Sequence, residues 1–254
     1  RIRGAWAAGG RSGKPAAEKE YAVATTDRYR STSDLPRELP LFPLRGAILL
    51  PRVTLPLNIF EPRYLAMVDA VMSGRRLIGI LQPDGPAPEH AAASMSESPL
   101  GKSVALKRVG CAGRVTSYQE TDDGRLLITL TGVARFTLAG EKQDAQPYRT
   151  GLVAFERFES DLEAGLGEDE VDRETLLRVL RSYLDAKELR TDWAAVLKSS
   201  SEFLVNALSV MSPYGPEEKQ ALLEAADLRT RAEVLVALAE MELASSGSAG
   251  GMVQ

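Results

Sequence analysis

Few residues in this sequence have the types and spacing that catalysis requires. The chain contains one histidine, His90, and one cysteine, Cys111. A Ser-His-Asp triad would need His90 as its general base, but His90 lies in a polar stretch rich in Ala, Ser and Pro, which favours a solvated side chain. Cys111 lies inside an apolar pattern typical of a strand, so we expect a buried structural thiol and not a nucleophile.

Two short motifs match parts of nucleotide and protease sites. The sequence Gly-Lys-Ser at 101–103 has the ending of a phosphate loop, but Ser96 occupies the position of the first glycine. That motif also needs a preceding strand, and none is indicated here. Lys198 and Ser199 could form a Ser-Lys dyad, although the residues that follow them are typical of a helix start. Scattered carboxylates leave an acid–base pair open, but no pattern indicates one. We therefore expect a protein that is not an enzyme and uses no cofactor.

Composition narrows the range of partners. The 254 residues are 44% apolar and 26% charged, as in an ordinary globular protein. The net charge of −4 argues against a nucleic-acid partner, which usually requires an excess of Lys and Arg. No apolar run approaches the roughly 20 residues that span a bilayer, and one cysteine with one histidine cannot build a zinc site. The single cysteine fits a reducing compartment, so we expect a cytoplasmic protein without a membrane partner.

The chain divides into four segments. Residues 1–38 are rich in Gly, Ser, Thr and Arg and predict a disordered N-terminal extension, which is native, a transit segment or a mis-assigned start. Residues 39–158 have strand patterns. Residues 159–246 contain an acidic linker and then helical patterns. Residues 247–254 predict a flexible tail.

Turn and alternation signals predict strands in 39–158. Asp123-Gly124 lies between two β-rich flanks and predicts a hairpin. One helix interrupts the strands, and Pro62 fits its first turn, where the missing N–H is harmless. The polar, Pro-rich residues 83–102 predict a long loop, which we interpret as disordered; a functional loop is the alternative. Short strands with close turns indicate a closed or nearly closed antiparallel barrel. The strand alternation and the helix face depend on these residues: Leu126, Ile128 and Leu130; Ala134, Phe136 and Leu138, alternating with Val133, Arg135 and Thr137; and Leu65, Val68 and Met72.

Apolar residues recur at helical spacing in the second half. Gly215 and Pro216 predict a helix start, followed by acidic residues in the first turn. The stripes predict a small helical bundle with an apolar core, and together with the strands they indicate an α+β fold. They consist of Leu176, Leu180, Tyr183 and Leu184; Leu204, Leu208 and Met211; and Val234, Leu238 and Met241.

The linker is unusually acidic. Residues 156–174 contain nine carboxylates and two arginines. We interpret this stretch as a solvated connector. A cation site is the alternative, because carboxylate oxygens suit Mg²⁺ and Ca²⁺, but no EF-hand-like loop is present.

Three blocks of the sequence carry a family resemblance. LPLFPLRGAILLPRVTLPLNIFEPRY, at 39–64, contains a Leu-Phe-Pro-Leu strand, a proline-containing second strand and a Phe-Glu-Pro-Arg-Tyr motif that enters a helix. VGCAGRVTSYQETDDGRLLITLTGVARF and SPYGPEEKQALLEAADLRTRAEVLVALAEMEL follow in order. Together these blocks resemble the Lon protease N-terminal, substrate-binding domain over 39–245. In the second block, the Gly and Arg places of the family pattern are taken by Gly110, Arg114, Gly124, Gly132 and Arg135.

The resemblance implies a fold and a function. It implies a PUA-like antiparallel β pseudo-barrel followed by a C-terminal α-helical bundle. It also implies a non-enzymatic module that binds unfolded or degron-bearing polypeptides, as an adaptor or regulator in proteolysis, with an ATP-dependent protease as a candidate partner. Glu61, Arg63 and Tyr64 are the candidate binding residues, and a purely structural role is their alternative. A small-molecule or RNA binder on a PUA-like barrel is the other function that the fold permits.

The sequence also departs from the full family pattern. Full Lon proteases carry an ATPase module with a phosphate loop and a protease domain with a Ser-Lys dyad. Neither module is found in these 254 residues. The chain therefore resembles the stand-alone bacterial members, and the resemblance does not extend the ATPase or peptidase activity to it.

Overall fold

A computed structural model describes residues 28–85 and 104–249. Its strands are β1 (Glu38–Pro43), β2 (Thr54–Ile59), β3 (Leu77–Pro83), β4 (Leu106–Glu120), β5 (Leu126–Lys142) and β6 (Arg149–Ala154). Its α-helices are α1 (Pro62–Met72), α2 (Arg173–Ala186), α3 (Trp193–Lys198), α4 (Ser201–Met211), α5 (Pro216–Glu224) and α6 (Leu228–Ala249). Short 3-10 turns cover Thr32–Asp34, Glu156–Leu162 and Glu168–Glu170. The α+β class predicted from the sequence is therefore correct.

The strands form a six-stranded sheet that closes on itself. The strand order is β2-β5-β4-β3-β1-β6, and β6 also pairs with the second half of β5. Five strands, β1, β3, β4, β5 and β6, thus form a closed ring, which we call the β ring, while β2 pairs with the first half of β5. The prediction of a purely antiparallel sheet is wrong, because β1 and β3 are parallel. The chain between them crosses over through β2 and α1, and such a crossover is what parallel neighbours require.

The predicted hairpin is confirmed. β4 and β5 pair from Val109 with Thr137 to Glu120 with Leu126, and Gly124 adopts a φ of 76° in the turn between them. The alternation directly after the turn is also confirmed, since Leu126, Ile128 and Leu130 are buried while Leu127 is exposed. Further along β5 both faces are covered, because Val133 and Arg135 are buried as well as Ala134 and Phe136.

The helix between β2 and β3 begins where the sequence predicted. Pro62 occupies the first turn of α1. The predicted buried face is only partly correct: Val68 is buried, but Leu65 and Met72 are half-exposed. The helix instead buries Tyr64, Met67, Val68 and Val71. The Tyr64 ring lies 4.3 Å from the Phe42 ring, centroid to centroid, and this contact turns the face toward β1.

One hydrophobic core runs from the β ring into the C-terminal helices. Ile80 of β3 and Cys111 of β4 belong to the same buried cluster as Leu222 and Leu223 of α5. A second cluster surrounds Phe136 and fills the ring itself. The segments 39–158 and 159–246, which the sequence separates by pattern, therefore share one core.

The described part of the chain extends beyond the predicted ordered region at both ends. Tyr29 and Leu35, inside the extension 1–38, are buried, and Arg114 Nη1 donates to the Tyr29 hydroxyl at 3.1 Å. Disorder is thus wrong for residues 28–38, where two separated apolar residues give no periodic signal. Helix α6 reaches Ala249, inside the tail predicted at 247–254. The extension before residue 28, the tail after residue 249 and most of the loop at 83–102 lie outside the described residues.

Gly132 marks the closest approach between backbone segments that the described glycines show. An added Cβ atom would lie 1.9 Å from the carbonyl oxygen of Leu50. The Gly132 N–H donates to the Val53 carbonyl at 2.9 Å, and the Arg52 N–H donates to the Gly132 carbonyl at 2.8 Å. Only a residue without a side chain lets the segment before β2 reach β5 this way.

Replacing Gly132 with alanine should destabilise the protein strongly. We expect Gly132→Ala to lower the free energy of unfolding by about 3 kcal/mol, because the methyl group must displace backbone. Urea denaturation followed by circular dichroism measures this. The matched control is Gly140→Ala in the same strand, where an added Cβ meets no atom within 4 Å. Equal midpoints for the two variants would contradict the prediction.

Candidate functional site

The three predicted binding residues lie together at the start of α1. The Glu61 and Arg63 side chains form an ion pair of 2.7 Å between Oε2 and Nη2. The Arg63 guanidinium lies 5.0 Å from the centroid of the Tyr64 ring. Tyr64 itself is only 3% exposed and packs against the Phe42 ring, so it anchors α1 on β1. Glu61 and Arg63 are half-buried and reach the surface.

An exposed apolar face adjoins this motif, and sequence analysis did not identify it. Phe60, directly before Glu61, is 55% exposed, and Leu127 is 41% exposed. In the sheet, Asn58 pairs with Leu127 and Pro56 with Thr129, so alternate residues of β2 and β5 point the same way. We call Pro56, Asn58, Phe60, Leu127 and Thr129 the β2–β5 face. The Arg125 guanidinium lies 5.8 Å from the Phe60 ring centroid and flanks this face.

A buried ion pair joins the β ring to the linker. Arg135, on β5, is 1% exposed, and its guanidinium donates to both carboxylate oxygens of Asp161, at 2.9 and 2.8 Å. The Arg135 backbone N–H also donates to Asp161, at 2.8 Å. The remaining Nη1 donates to the carbonyls of Leu223 and Ala225, at 3.1 and 2.5 Å. The pair thus connects β5, the linker and the end of α5.

Arg52 forms a second connection between the ring and the helices. Its Nη1 donates to the Asp161 carbonyl at 2.7 Å, and its Nε donates to Glu202 Oε1 at 2.9 Å. Glu202, on α4, accepts from the Gly165 N–H with its other oxygen, at 3.0 Å. Arg52 has a φ of 64°, a backbone conformation that a non-glycine residue adopts only when its surroundings hold it.

Two further buried cations hold the helices together. Arg231 Nη1 donates to Asn206 Oδ1 at 2.8 Å, and burial lowers the pKa of Arg231 to about 10. Asn206 Nδ2 in turn donates to the Pro51 carbonyl at 3.3 Å. Lys219 Nζ donates to the carbonyl of Ser209 at 2.9 Å near the end of α4, while burial lowers the pKa of Lys219 to about 8. Both charges therefore serve packing between helices.

The acidic linker is only partly the solvated connector that we expected. Seven of its nine carboxylates are exposed, but Phe158 and Asp161 are buried. Glu168 Oε1 accepts from the Glu202 N–H at 2.9 Å at the start of α4. Charge counting missed this because it cannot tell which carboxylate finds a buried arginine. Within 28–85 and 104–249, no three His, Cys, Asp or Glu side chains are grouped to hold a metal ion.

Of the other residues considered for catalysis, those that the structure describes have contacts typical of a structural role. Cys111 is fully buried, and burial raises the pKa of its thiol far above the ordinary value. Ser199 Oγ donates to the Ala195 carbonyl at 2.9 Å, as a side chain at a helix end does. His90 and the Gly-Lys-Ser sequence at 101–103 lie outside the described residues. Among the described helices, none is long and apolar enough to cross a membrane.

Comparison with known proteins identifies the family of this fold. The profile of the ATP-dependent protease La (LON) substrate-binding domain matches residues 38–240. The chain belongs to this family. The match covers the β ring, the Phe-Glu-Pro-Arg-Tyr motif and the helices up to most of α6, and it confirms the resemblance to the Lon substrate-binding domain.

Relatives of the Lon family match the same region. Lon protease of Syntrophus aciditrophicus is 26% identical over 223 residues, which are 84% of this chain and 26% of that protein. Lon protease 2 of Sorangium cellulosum is 25% identical over 218 residues, or 81% of this chain and 25% of that protein. The chain thus spans about a quarter of the length of the curated relatives it matches.

Two solved structures share the fold. The Lon N-terminal domain protein from Xanthomonas campestris superposes with a TM-score of 0.53 at 22% identity, covering 79% of this chain and 97% of that one. The N-terminal domain of Mycobacterium avium complex Lon protease gives a TM-score of 0.57 at 15% identity, covering 80% of this chain and 98% of that one. Both support the Lon N-terminal domain fold for this chain.

Loss of the Arg135–Asp161 pair should unfold the junction. We expect Arg135→Met to lower the free energy of unfolding by about 3–5 kcal/mol, because it leaves the Asp161 carboxylate buried without a counterion. The control is Lys142→Ala, which removes an exposed ion pair with Glu38 and should cost less than about 1 kcal/mol. Chemical denaturation compares the two, and similar losses would contradict the prediction. The double variant Arg135→Met/Asp161→Leu should recover only part of the loss, since the Leu223 and Ala225 carbonyls still lack a donor.

Proposed function

We propose that the chain is a polypeptide-binding module, and that the β2–β5 face is its contact surface. The observation that carries this proposal is the exposure of Leu127 on β5 and of Phe60, which directly follows the end of β2. The sheet holds Leu127 on its outer face, so its apolar surface remains available to a partner. An unfolded polypeptide exposes apolar side chains of the kind that this face would bury.

The motif at the start of α1 supports the face in this proposal. Glu61 and Arg63 form its polar rim directly beside Phe60, while buried Tyr64 fixes the helix that presents them. A polar rim around apolar anchors is the usual anatomy of a protein interface. We therefore assign contact roles to Glu61 and Arg63 and a supporting role to Tyr64.

The finer assignments belong to the same proposal. We propose a non-enzymatic adaptor or regulator in proteolysis, acting on unfolded or degron-bearing polypeptides together with an ATP-dependent protease. The buried thiol of Cys111 and the helix-end bond of Ser199 support the absence of a nucleophile at these positions. The closed β ring supports a PUA-like pseudo-barrel. The single free cysteine supports a cytoplasmic location.

A charge placed on the β2–β5 face should weaken the binding of unfolded polypeptide. We expect Leu127→Asp to weaken binding of a fluorescently labelled, reduced and carboxymethylated protein by at least about tenfold, because an apolar contact worth about 1.5 kcal/mol is lost. Fluorescence anisotropy measures the affinity. The matched control is Leu152→Asp on β6, where the leucine is 40% exposed. Equal affinities for the two variants would exclude this face as the contact surface.

Substitution of Tyr64 should show whether this residue stabilises the fold or contacts the bound polypeptide. We expect Tyr64→Ala to lower the free energy of unfolding by about 3–5 kcal/mol, as for other buried aromatic residues. At a temperature where the variant remains folded, its affinity for the same labelled polypeptide should be unchanged. Tyr64→Phe, which keeps the ring on Phe42, is the control for packing. Weaker binding by Tyr64→Ala at unchanged stability would instead show a direct contact.

A further inference from the structure

A second group of exposed apolar side chains lies on the helical half. Leu166 in the linker is 49% exposed, Leu197 at the end of α3 is 59% exposed, and Phe203 in the first turn of α4 is 51% exposed. We call these three residues the linker–α4 surface. None of them belongs to the β2–β5 face, which lies on other elements.

Hydrogen bonds between their neighbours hold the three backbones in one region. Gly165, next to Leu166, donates its N–H to Glu202, next to Phe203, at 3.0 Å. The Arg173 guanidinium donates to the Leu197 carbonyl at 3.2 Å and to Ser201 Oγ at 3.3 Å. The linker, the end of α3 and the start of α4 are therefore fixed relative to each other.

The linker that carries Leu166 is acidic. Residues 156–174 contain nine carboxylates and two arginines. Of the carboxylates, Asp161 is buried and paired with Arg135, whereas Glu163, Asp169 and Glu170 are exposed.

The nearby cations compensate only part of this charge. Arg229 interacts with Glu170 as well as with Glu233. The Arg173 guanidinium donates to backbone carbonyls, the closest at 2.8 Å on Ser199. Arg157 lies 4.9 Å from the Phe158 ring centroid. Lys198 is exposed beside Leu197. The surface consequently joins apolar contact area with excess negative charge.

We propose that the linker–α4 surface docks extended polypeptide segments that carry basic as well as apolar side chains. The apolar residues provide area that a partner can bury, and the carboxylates attract Lys and Arg while they repel acidic segments. This inference rests on the proposed polypeptide-binding function and names the class of segment that one surface selects. The selection is electrostatic at an exposed rim, so it weakens as salt screens it.

Two short labelled peptides with the same apolar residues test the proposal, one with lysines and one with glutamates at the remaining positions. We expect the lysine peptide to bind the full chain at least about tenfold more tightly at low salt, with the difference reduced at high salt. Phe203→Ser should weaken the affinity for the lysine peptide about tenfold. Met241→Ser, which removes a 69% exposed residue of α6, is the control and should leave the affinity unchanged.

A double variant tests the electrostatic contribution to peptide binding. Glu163→Gln/Asp169→Asn removes two exposed carboxylates and should weaken the affinity for the lysine peptide severalfold. The affinity for the glutamate peptide should not decrease. Equal affinities of the two peptides, or equal effects of Phe203→Ser and Met241→Ser, would overturn this inference.

Two further outcomes separate this inference from the proposed function. If Phe203→Ser dissociates a dimer of the wild-type chain in sedimentation velocity, a second copy covers the surface and the inference is wrong. If neither peptide binds but the unfolded labelled protein does so through Leu127, only this inference fails. If no polypeptide binds the chain at all, the proposed function fails as well.

Discussion

The Arg135–Asp161 ion pair is the contact on which the arrangement of the two halves depends. A guanidinium excluded from water is stable only if charge and hydrogen bonds replace its hydration. Strand β5 cannot supply these by itself: the carboxylate comes from the linker, and the carbonyls of Leu223 and Ala225 come from the end of α5. The β ring therefore tolerates an arginine at this position only when the helical half is docked. We therefore expect the two halves to fold together.

Local signals predicted the elements better than their partners. The Asp123-Gly124 turn and Pro62 fix a hairpin and a helix start through the chemistry of a few adjacent residues, and both were found where expected. Alternation placed Arg135 on the face opposite Phe136, which in isolation reads as a solvated face. The carbonyls that accept hydrogen bonds from the buried Arg135 guanidinium lie 88 and 90 positions later in the chain, and no local pattern predicts them. The parallel pairing of β1 with β3 was missed for the same reason, since it depends on where α1 packs.

The family motif predicted the segment on which we propose the site, and the structure shows which of its residues are exposed. The Phe-Glu-Pro-Arg-Tyr sequence identified the start of α1, but the choice of Glu61, Arg63 and Tyr64 favoured polar and aromatic types that usually make contacts. The structure shows that exposure in this segment is set by the orientation of each residue and not by its type. Tyr64 packs against Phe42 and is buried, whereas Phe60, the last residue before the helix cap, is exposed. Leu127, on the strand that pairs with β2, is exposed as well. Exposure of an apolar residue depends on strand pairing and is invisible in composition.

The same junction that couples folding also fixes the distance between the two proposed surfaces. Arg52 lies two residues before β2, which supplies part of the β2–β5 face, and its Nε donates to Glu202, the neighbour of Phe203. A polypeptide long enough to reach both surfaces would bind the second one at a high effective concentration, because the span between them is held by charge-assisted bonds and not by a loose linker. Two weak contacts on a rigid frame can thereby retain a segment that neither would hold alone. In the proposed arrangement the buried charges would serve binding indirectly, because they preserve the spacing between the two proposed surfaces.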